Sequence, residues 1–344
     1  MAEKPTLKQI ADDLGLSPAT VSKAMAGKSE IKEATRSQVL SRARELGYWT
    51  KKKSEDGKGE FRAAVIIDEP QRPSNRNNFF DDVLAGFRQY AARFRMETVI
   101  LSIQDEWRRQ GEAYGEYFRV KKIDGVFIQG LRKGDPFVSC LESAAAPPAV
   151  IIDFSVNNPR TGLVEVDNVA AVKMAVDHLV SLGHVKIGFL NGHSQAEVSG
   201  KRLLGFAASL GLNGLAYNPD LVYEGDFTEG CGGAAADYFI RLGVTAVFCA
   251  SDLMAVGLIH GFQHRKLRIP DDVSVVGFDN MSFCNICTPK ITTVAQDRNY
   301  LGMTACALLR QLIDGGIITR CTLSPSFIIR ESTKAPRHGK APVP

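Results

Sequence analysis

The sequence predicts an α/β chain in which a small three-helix head precedes a two-lobed, doubly wound domain. In the first 50 positions, apolar residues recur at helical spacing between residues that cap helices. From residue 62 onward, short apolar runs alternate with amphipathic helical stretches, which is the pattern of parallel sheets covered by helices. These runs fall into two successive sets, and 344 residues exceed what one core usually supports.

The head begins with two capped helices separated by a tight turn. Thr6, three residues before Gln9, is a capping-box N-cap for a helix that reaches Leu14. Ser17 caps the next helix, and Pro18 follows it because the first helical position tolerates a missing N–H. This second helix is expected to run from Pro18 to Ala26 and to end at Gly27.

A third amphipathic helix from Glu33 to Leu46 completes the head over residues 1–50. Its expected buried face consists of Val39, Leu40, Ala43 and Leu46. Helical hairpins also occur in folds that never touch DNA, so charge decides between the two interpretations. Residues 1–62 contain 13 Lys and Arg against nine Asp and Glu, whereas the remainder contains 29 of each sign. The excess positive charge favours a DNA-binding helix-turn-helix.

A polar, glycine-containing linker is predicted over residues 51–61, where no apolar periodicity occurs. The chain shows neither an export signal nor an apolar run of membrane-spanning length, so we expect a cytoplasmic protein. The seven cysteines are odd in number and include a lone CxxC, Cys284 and Cys287. This pattern favours reduced structural thiols, and we expect no metal and no cofactor.

Two sets of buried parallel strands are predicted within a domain that spans residues 62–332. The first set is Ala63 to Ile67, Thr98 to Ile103, Gly125 to Gln129 and Ala149 to Asp153. The second set is Lys186 to Asn191, Val222 to Gly225, Ala246 to Ala250 and Val273 to Phe278. Ligands of such folds bind beyond the carboxyl ends of the strands, so the cleft between the lobes is the expected site. Residues 333–344, rich in proline and basic residues, are expected to form a disordered tail.

Polar residues at the carboxyl ends of these strands are candidates for ligand contact. Asp153 and Asp279 follow the runs VII and VVGF and are the stronger pair. Asp167 follows LVEV, and Ser251 and Asp252 follow VFCA. Asp167 and Asp252 fit equally well as ordinary helix N-caps, and the sequence leaves both interpretations open.

Several blocks of the chain resemble the LacI/GalR family of bacterial transcriptional regulators. The blocks are TLKQIADDLGLSPATVSKAMAG, ELGY (Glu45 to Tyr48), HLVSLGHVKIGFLNG (His178 to Gly192), ASDLMAVGLIHGF (Ala250 to Phe262), IPDDVSVVGFDN (Ile269 to Asn280) and ITTVAQD (Ile291 to Asp297). The resemblance runs from about Thr6 to Ser332. It implies a periplasmic-binding-protein-like effector domain, a homodimer, a pseudo-palindromic operator and a small-molecule effector, most often a sugar.

The resemblance also implies that the second helix of the head enters the major groove of operator DNA. The residues expected to contact DNA are Thr6, Ser17, Pro18, Ala19, Thr20, Ser22 and Lys23. Pro18 and Ala19 offer apolar contact only, whereas Lys23 can donate to guanine. Family members usually carry a leucine-containing hinge helix after ELGY. Trp49, Thr50 and a lysine run stand there instead, so we do not predict the minor-groove wedge.

Residues expected to contact the effector follow from the same resemblance. They are Phe79, Phe80, Asp153, Arg202, Phe227, Ser251 and Asp279. Arg202 is expected to clamp vicinal hydroxyls or a carboxylate, Phe227 to stack on the ligand, and Asp279 to accept its hydrogen bonds. Ser251 stands where sugar-binding members commonly have asparagine, and it offers one donor instead of an amide pair.

These observations predict a homodimeric transcriptional repressor, and not an enzyme, whose operator affinity depends on a small molecule bound between the lobes. No GxGxxG follows the first strand, and no P-loop or nucleophile elbow occurs. A solute-binding transport protein shares the architecture but would need an export signal and no basic head. Control by a nucleobase or by a protein co-regulator stays open.

Overall fold

The computed structural model describes residues 6–25, 30–32, 35, 36, 38, 39, 42, 43, 61–67, 78–102, 118–143 and 146–337. The α-helices are α1 (Leu7–Leu14), α2 (Pro18–Met25), α3 (Asn78–Arg93), α4 (Pro136–Glu142), α5 (Asn168–Ser181), α6 (Glu197–Leu212), α7 (Glu229–Leu242), α8 (Asp252–His264) and α9 (Arg298–Ile313). The strands are β1 (Phe61–Ile67), β2 (Met96–Ser102), β3 (Gly125–Gln129), β4 (Ala149–Ile152), β5 (Thr161–Val166), β6 (Ile187–Asn191), β7 (Val222–Glu224), β8 (Ala246–Cys249), β9 (Ser274–Asp279), β10 (Thr292–Ala295), β11 (Arg320–Leu323) and β12 (Ser326–Ile328).

The two N-terminal helices have the caps that the sequence predicts. The Thr6 hydroxyl accepts a hydrogen bond from the Gln9 amide at 3.2 Å, and the Ser17 hydroxyl accepts one from the Thr20 amide at 3.0 Å. Gly15 ends α1 in the left-handed conformation, with φ 63°.

A small apolar core joins these helices to the third. Its buried members are Ile10, Ala11, Val21, Ala24, Val39 and Ala43. Residues 35, 36, 38, 39, 42 and 43 are helical, which agrees with the predicted third helix where the structure describes it. The predicted positions Ala26, Gly27, Leu40 and Leu46 lie outside the described residues.

Two six-stranded sheets form the rest of the chain. The first has the strand order β11-β5-β4-β3-β1-β2, all parallel, and with α3, α4 and α9 it makes the N-lobe. The second has the order β12-β10-β9-β8-β6-β7 and with α5 to α8 makes the C-lobe. Only β12, at its edge, pairs antiparallel. Strands covered by helices on both faces are apolar throughout, which is why the sequence shows continuous apolar runs.

The chain passes between the lobes at three places within residues 146–337. These are the link from β5 to α5, the link from β10 to α9, and residues 324 and 325 between β11 and β12. Asp167 and Asp297 cap the helices that begin after the first two crossings. All three crossings lie beside the carboxyl ends of strands.

The eight predicted strands are present, with ends within two residues of those predicted. Four further strands, β5, β10, β11 and β12, were not among the eight, although the run LVEV before Asp167, the end of β5, was treated as a strand end. The last three are short and contain several polar residues (TTVA, RCTL and SFI), so they lack the continuous apolar signal. No helix in the described ranges combines the length and apolar character that a membrane crossing requires.

Two predicted boundaries are wrong. Phe61, assigned to the linker, begins β1, while residues 51–60 lie outside the described residues. The tail predicted from Thr333 is bonded to the C-lobe through Arg337: the Lys334 amide donates to the Ser274 hydroxyl at 3.0 Å, and Arg337 forms an ion pair with Asp271 at 3.3 Å. The composition of the segment did not indicate these contacts, because its backbone forms hydrogen bonds with residues about sixty positions away in sequence. Residues 338–344 lie outside the described residues.

The seven cysteines are free thiols. Desolvation raises the pKa of each thiol above its ordinary value, and Cys249 and Cys284 lie deepest. A raised thiol pKa reduces the reactive thiolate fraction at neutral pH.

Candidate functional site

The residues predicted to contact DNA lie on the outer face of the head. Pro18, Ala19, Ser22 and Lys23 are exposed on α2, while its inner positions Val21 and Ala24 are buried. Thr6 and Ser17 are also exposed, although their hydroxyls already cap α1 and α2. The Ser17 hydroxyl lies 2.8 Å from that of half-buried Thr20, so one of the two donates to the other.

Lys23 is paired within the head. Its ammonium lies 2.7 Å from a Glu30 carboxylate oxygen, and more than half of each side chain is exposed. An exposed ion pair contributes roughly 0–1 kcal/mol. A good base contact contributes about 1–3 kcal/mol of discrimination, which is more than an exposed ion pair contributes to stability.

Arg202 is buried, with 4% exposure, among residues of its own lobe. Its Nε donates to Asn168 Oδ1 at 2.8 Å, and its Nη1 donates to the Ala250 carbonyl at 2.5 Å. Its guanidinium lies 3.7 Å from the centre of the Phe278 ring. Burial lowers the pKa of Arg202, and the nearby carboxylates of Asp279 and Asp153 oppose that change.

Asp153 and Asp279 lie at the carboxyl ends of β4 in the N-lobe and β9 in the C-lobe. Both have positive φ, 60° and 114°, an unusual backbone conformation that is concentrated at functional sites. Asp279 accepts a hydrogen bond from Gln296 Nε2 at 2.6 Å. Asp153 Oδ1 is buried and has no hydrogen-bond partner among the residues that the structure describes. The Asp153 carboxylate, in the N-lobe, interacts electrostatically with Arg202 and Asp279 of the C-lobe.

Sequence reasoning missed two buried amides at the same edges. Gln129 ends β3 with 1% exposure, and neither of its amide atoms has a partner in the described part of the chain. Gln296 follows β10 with 4% exposure, and its Oε1 is likewise unpartnered there. A buried polar group normally has a partner, so these atoms mark a place for a ligand or water. The sequence did contain a signal for Gln129, because Gln129 follows the apolar run GVFI in the same way that Asp153 follows VII.

A second missed cluster bridges the lobes beside Arg202. Lys201 on α6 lies 2.6 Å from Glu165, which is buried on β5, and 2.8 Å from Glu197. Glu197 in turn accepts from the Ser155 amide at 2.8 Å. Arg320 lies 3.0 Å from the other oxygen of Glu165. Glu197 and Lys201 form an i,i+4 pair on α6, but the other contacts join residues far apart in sequence, so no local pattern could have found them.

Of the three predicted aromatic contacts, one is buried in a core and two are half-buried. Phe79 is buried in the N-lobe core, and Phe80 is half-buried with its ring centre 5.4 Å from that of Phe79. Phe227 has φ 67°, and its ring centre lies 5.4 Å from that of His193. A Cβ on Gly192, directly after β6, would fall inside the Phe227 ring. Glycine there allows the ring to lie over the end of β6.

The polar residues around Ser251 and Asp167 have mainly structural partners. The Ser251 hydroxyl caps α8 by accepting from the Met254 amide at 3.2 Å, and Asp167 caps α5 by accepting from the Ala170 amide at 2.9 Å. Asp252 accepts from the Thr293 hydroxyl at 2.6 Å and the Met281 amide at 2.7 Å. Asp167 therefore acts as an N-cap, whereas Asp252 ties α8 to the segments after β9 and in β10.

The buried carboxylates predict a pH-dependent stability. Desolvation raises the pKa of Asp153 and of Asp279 to about 7, although Arg202 opposes the rise. The native state then holds protons that the unfolded chain has lost, so the free energy of unfolding falls as pH rises through about 7. We expect a decrease of about 1 kcal/mol per carboxyl group between pH 6.5 and 8 in urea unfolding. Asp279→Asn should flatten this dependence, and a stability that increases over the same interval would contradict the assignment.

Comparison with known families and structures agrees with both parts of the molecule. Residues 6–51 match the family described as bacterial regulatory proteins, lacI family. Residues 176–333 match the periplasmic binding protein-like domain. In solved structures, the chain is similar to the transcriptional regulator CelR in its cellobiose complex, with 27% identity, a TM-score of 0.72 and coverage of 95% of this chain and 99% of that one.

Two further similarities extend over nearly the whole chain. The fold is shared with the lac repressor dimer bound to operator and the anti-inducer ONPF, with 24% identity, a TM-score of 0.71 and coverage of 97% and 100%. The HTH-type transcriptional repressor CytR of Escherichia coli (strain K12) is 31% identical over 336 residues, which are 96% of each chain. With a capped helix-turn-helix at one end and two doubly wound lobes behind it, the chain belongs to the LacI family of bacterial regulatory proteins.

Proposed function

We propose that the protein is a homodimeric repressor whose operator affinity is controlled by a small molecule, a sugar or sugar derivative, bound between the lobes. The observation that carries this proposal is the set of buried polar groups at the strand ends of both lobes. Asp153 and Gln129 come from the N-lobe, and Arg202, Asp279 and Gln296 come from the C-lobe or the crossing beside it. The cellobiose in the CelR complex supports the sugar class.

Closure of the lobes on the effector provides the control. Hydrogen bonds already cross the cleft mouth, from the Lys133 amide to the Gln195 carbonyl at 2.9 Å and from the Ser155 amide to Glu197. An effector that binds one arrangement of the lobes more tightly shifts the population toward it. The head belongs to the same chain, and the two arrangements of the lobes bind the operator with different affinity. The shift in population therefore changes operator affinity.

The dimer sets the form of the operator. Two heads related by two-fold symmetry read two half-sites about one or more helical turns apart, so the operator is pseudo-palindromic. The exposed face of α2, with Lys23 on it, enters the major groove.

Fluorescence anisotropy with operators selected from random duplex DNA tests the proposal. We expect tight binding that falls by about 10³ to 10⁵ between 50 and 200 mM salt if six to ten phosphates are contacted. A screen of sugars and nucleosides should then yield a compound that changes this affinity. A weak salt slope would count against the head as the DNA-binding surface, and a panel without any effect on DNA binding would count against control by a small molecule.

A further inference from the structure

We propose that Arg298 is a positioning residue that couples effector binding in the C-lobe to the N-lobe. The inference rests on the proposed function and names the contacts through which one lobe acts on the other. Arg298 is the first residue of α9, directly after the crossing from β10, and only 14% of its side chain is exposed. A cation at the start of a helix is unfavourable to the helix dipole, so the stability of α9 does not account for this residue.

The guanidinium of Arg298 bonds to both lobes. Its Nη1 donates to the carbonyls of Asp279 and Asn280, at the end of β9 in the C-lobe, and the second of these bonds is 3.2 Å long. Its Nε donates to Asp82 Oδ2, on α3 of the N-lobe, at 2.9 Å, and its Nη2 lies 2.9 Å from the same oxygen. All three nitrogens therefore have protein partners, and we call this set of contacts the Arg298 link.

The C-lobe end of the Arg298 link is the turn that carries the Asp279 carboxylate. Asp279 and Asn280 have φ of 114° and 54°, an unusual backbone conformation that persists only where the surrounding structure holds it. Gln296, two residues before Arg298, donates to the Asp279 carboxylate at 2.6 Å. The crossing segment thus bonds both the side chain and the main chain of Asp279. An effector bound to that carboxylate therefore acts directly on this segment.

The N-lobe end of the Arg298 link is a pair of helices, α3 and α9, whose backbones are in close contact. A Cβ on Gly86 would lie 1.9 Å from the Asn299 carbonyl oxygen, and a Cβ on Gly302 would lie 1.8 Å from that of Val83. Close-packed elements of this kind transmit a displacement because they cannot be compressed. The two helices share a buried cluster with β1, the first strand after the predicted linker. The link therefore reaches the part of the N-lobe to which the head is joined.

Matched arginine substitutions in the full chain test the inference. Arg330 donates to Asn280 Oδ1 at 2.7 Å and to the Ile291 carbonyl at 2.7 Å, so it holds the same turn from within the C-lobe. Arg298→Lys keeps the charge, but an ammonium lacks the planar fork that bonds Asp82 and the two carbonyls together. Arg330→Lys makes the same chemical change at the C-lobe side of the turn and serves as the control.

The quantity to measure is the coupling factor, which is the ratio of the higher to the lower operator affinity in the presence and absence of effector. The probe is the compound, from a panel of cellobiose, glucose, ribose and the four common ribonucleosides, that most changes the operator affinity of the unmodified protein. We expect Arg298→Lys to lower the coupling factor at least fivefold, while the effector affinity of the free protein changes less than tenfold. Arg330→Lys should leave the factor within twofold. The effect of operator on effector affinity, measured by calorimetry, must fall equally, because coupling between two sites is reciprocal.

Three results would overturn the inference. They are a smaller fall of the coupling factor in Arg298→Lys, an equal fall in Arg330→Lys, and a loss of effector affinity of tenfold or more in Arg298→Lys, which would make it a binding residue. Asp82→Asn, at a half-exposed position, breaks only the N-lobe end of the link and provides the same test if Arg298→Lys does not fold.

Failure of the inference can be told apart from failure of the proposed function. If the unmodified protein shows coupling that Arg298→Lys retains, control by a small molecule stands and only the role of Arg298 is wrong. If no compound of the panel changes the operator affinity of the unmodified protein, both are overturned.

Discussion

Arg202→Ala is expected to lower effector affinity at least 100-fold and to remove the effect of the ligand on operator binding. The guanidinium is the cation shared by the two cleft carboxylates, and its Nη2 is the donor left for the ligand. Removal also leaves Asn168 Oδ1 and the Ala250 carbonyl without their charged donor. Breaking a buried pair of this kind costs about 3–5 kcal/mol, so the effector domain should also unfold at lower temperature.

Arg202→Met separates the loss of ligand contact from the loss of folding. Methionine keeps an apolar chain against the Phe278 ring but provides neither charge nor donors. Calorimetry with the ligand found in the screen and thermal unfolding, measured on both variants, give the two effects. We expect both variants to lose the ligand and Arg202→Met to retain more stability. Near-normal ligand affinity in a folded Arg202→Met protein would show that Arg202 only holds the fold.

Local sequence pattern was sufficient for most of the strands that the lobes bury completely; one exception is β5, in which Gly162 and Glu165 interrupt the apolar run. The run GVFIQ became β3 with the predicted ends, because a strand covered on both faces is apolar along its whole length. Strands β11 and β12 were missed since they are short and partly exposed. The segment from Thr333 to Arg337 is held by hydrogen bonds of Lys334 with His184 and Ser274. The composition of the segment gives no information about such distant partners.

Only some residues of the candidate site could be predicted from the sequence. Asp153 and Asp279 follow from a general rule, since polar residues that end buried parallel strands meet at one edge of a sheet. Gln129 obeys the same rule and was overlooked because an amide carries no charge. Arg202 lies inside a helix and was found only through the family resemblance. The pairing of Lys201 with Glu165 needs the tertiary fold, because the two residues belong to different lobes.

Val21→Asp is expected to lower operator affinity at least 10³-fold while leaving the effector domain folded. Val21 is fully buried in a small core, with six buried apolar residues in the described part of the head, that joins its helices. A carboxylate there would have no partner, and burying an unpaired charge costs several kcal/mol. A core of this size supplies only about 3–5 kcal/mol, so the head should unfold. Anisotropy with labelled operator measures the loss.

Val21→Ala is the matched control, because it removes two methyl groups without adding a charge. It should weaken operator binding only modestly and keep the salt slope of the unmodified protein, since the outer face of α2 is unchanged. In both variants, the thermal transition of the two lobes and the affinity for the effector should equal those of the unmodified protein, because in the described part of the chain the buried residues of the head pack only with other residues of the head. Operator binding by Val21→Asp at normal affinity would show that the DNA-binding surface does not depend on this core.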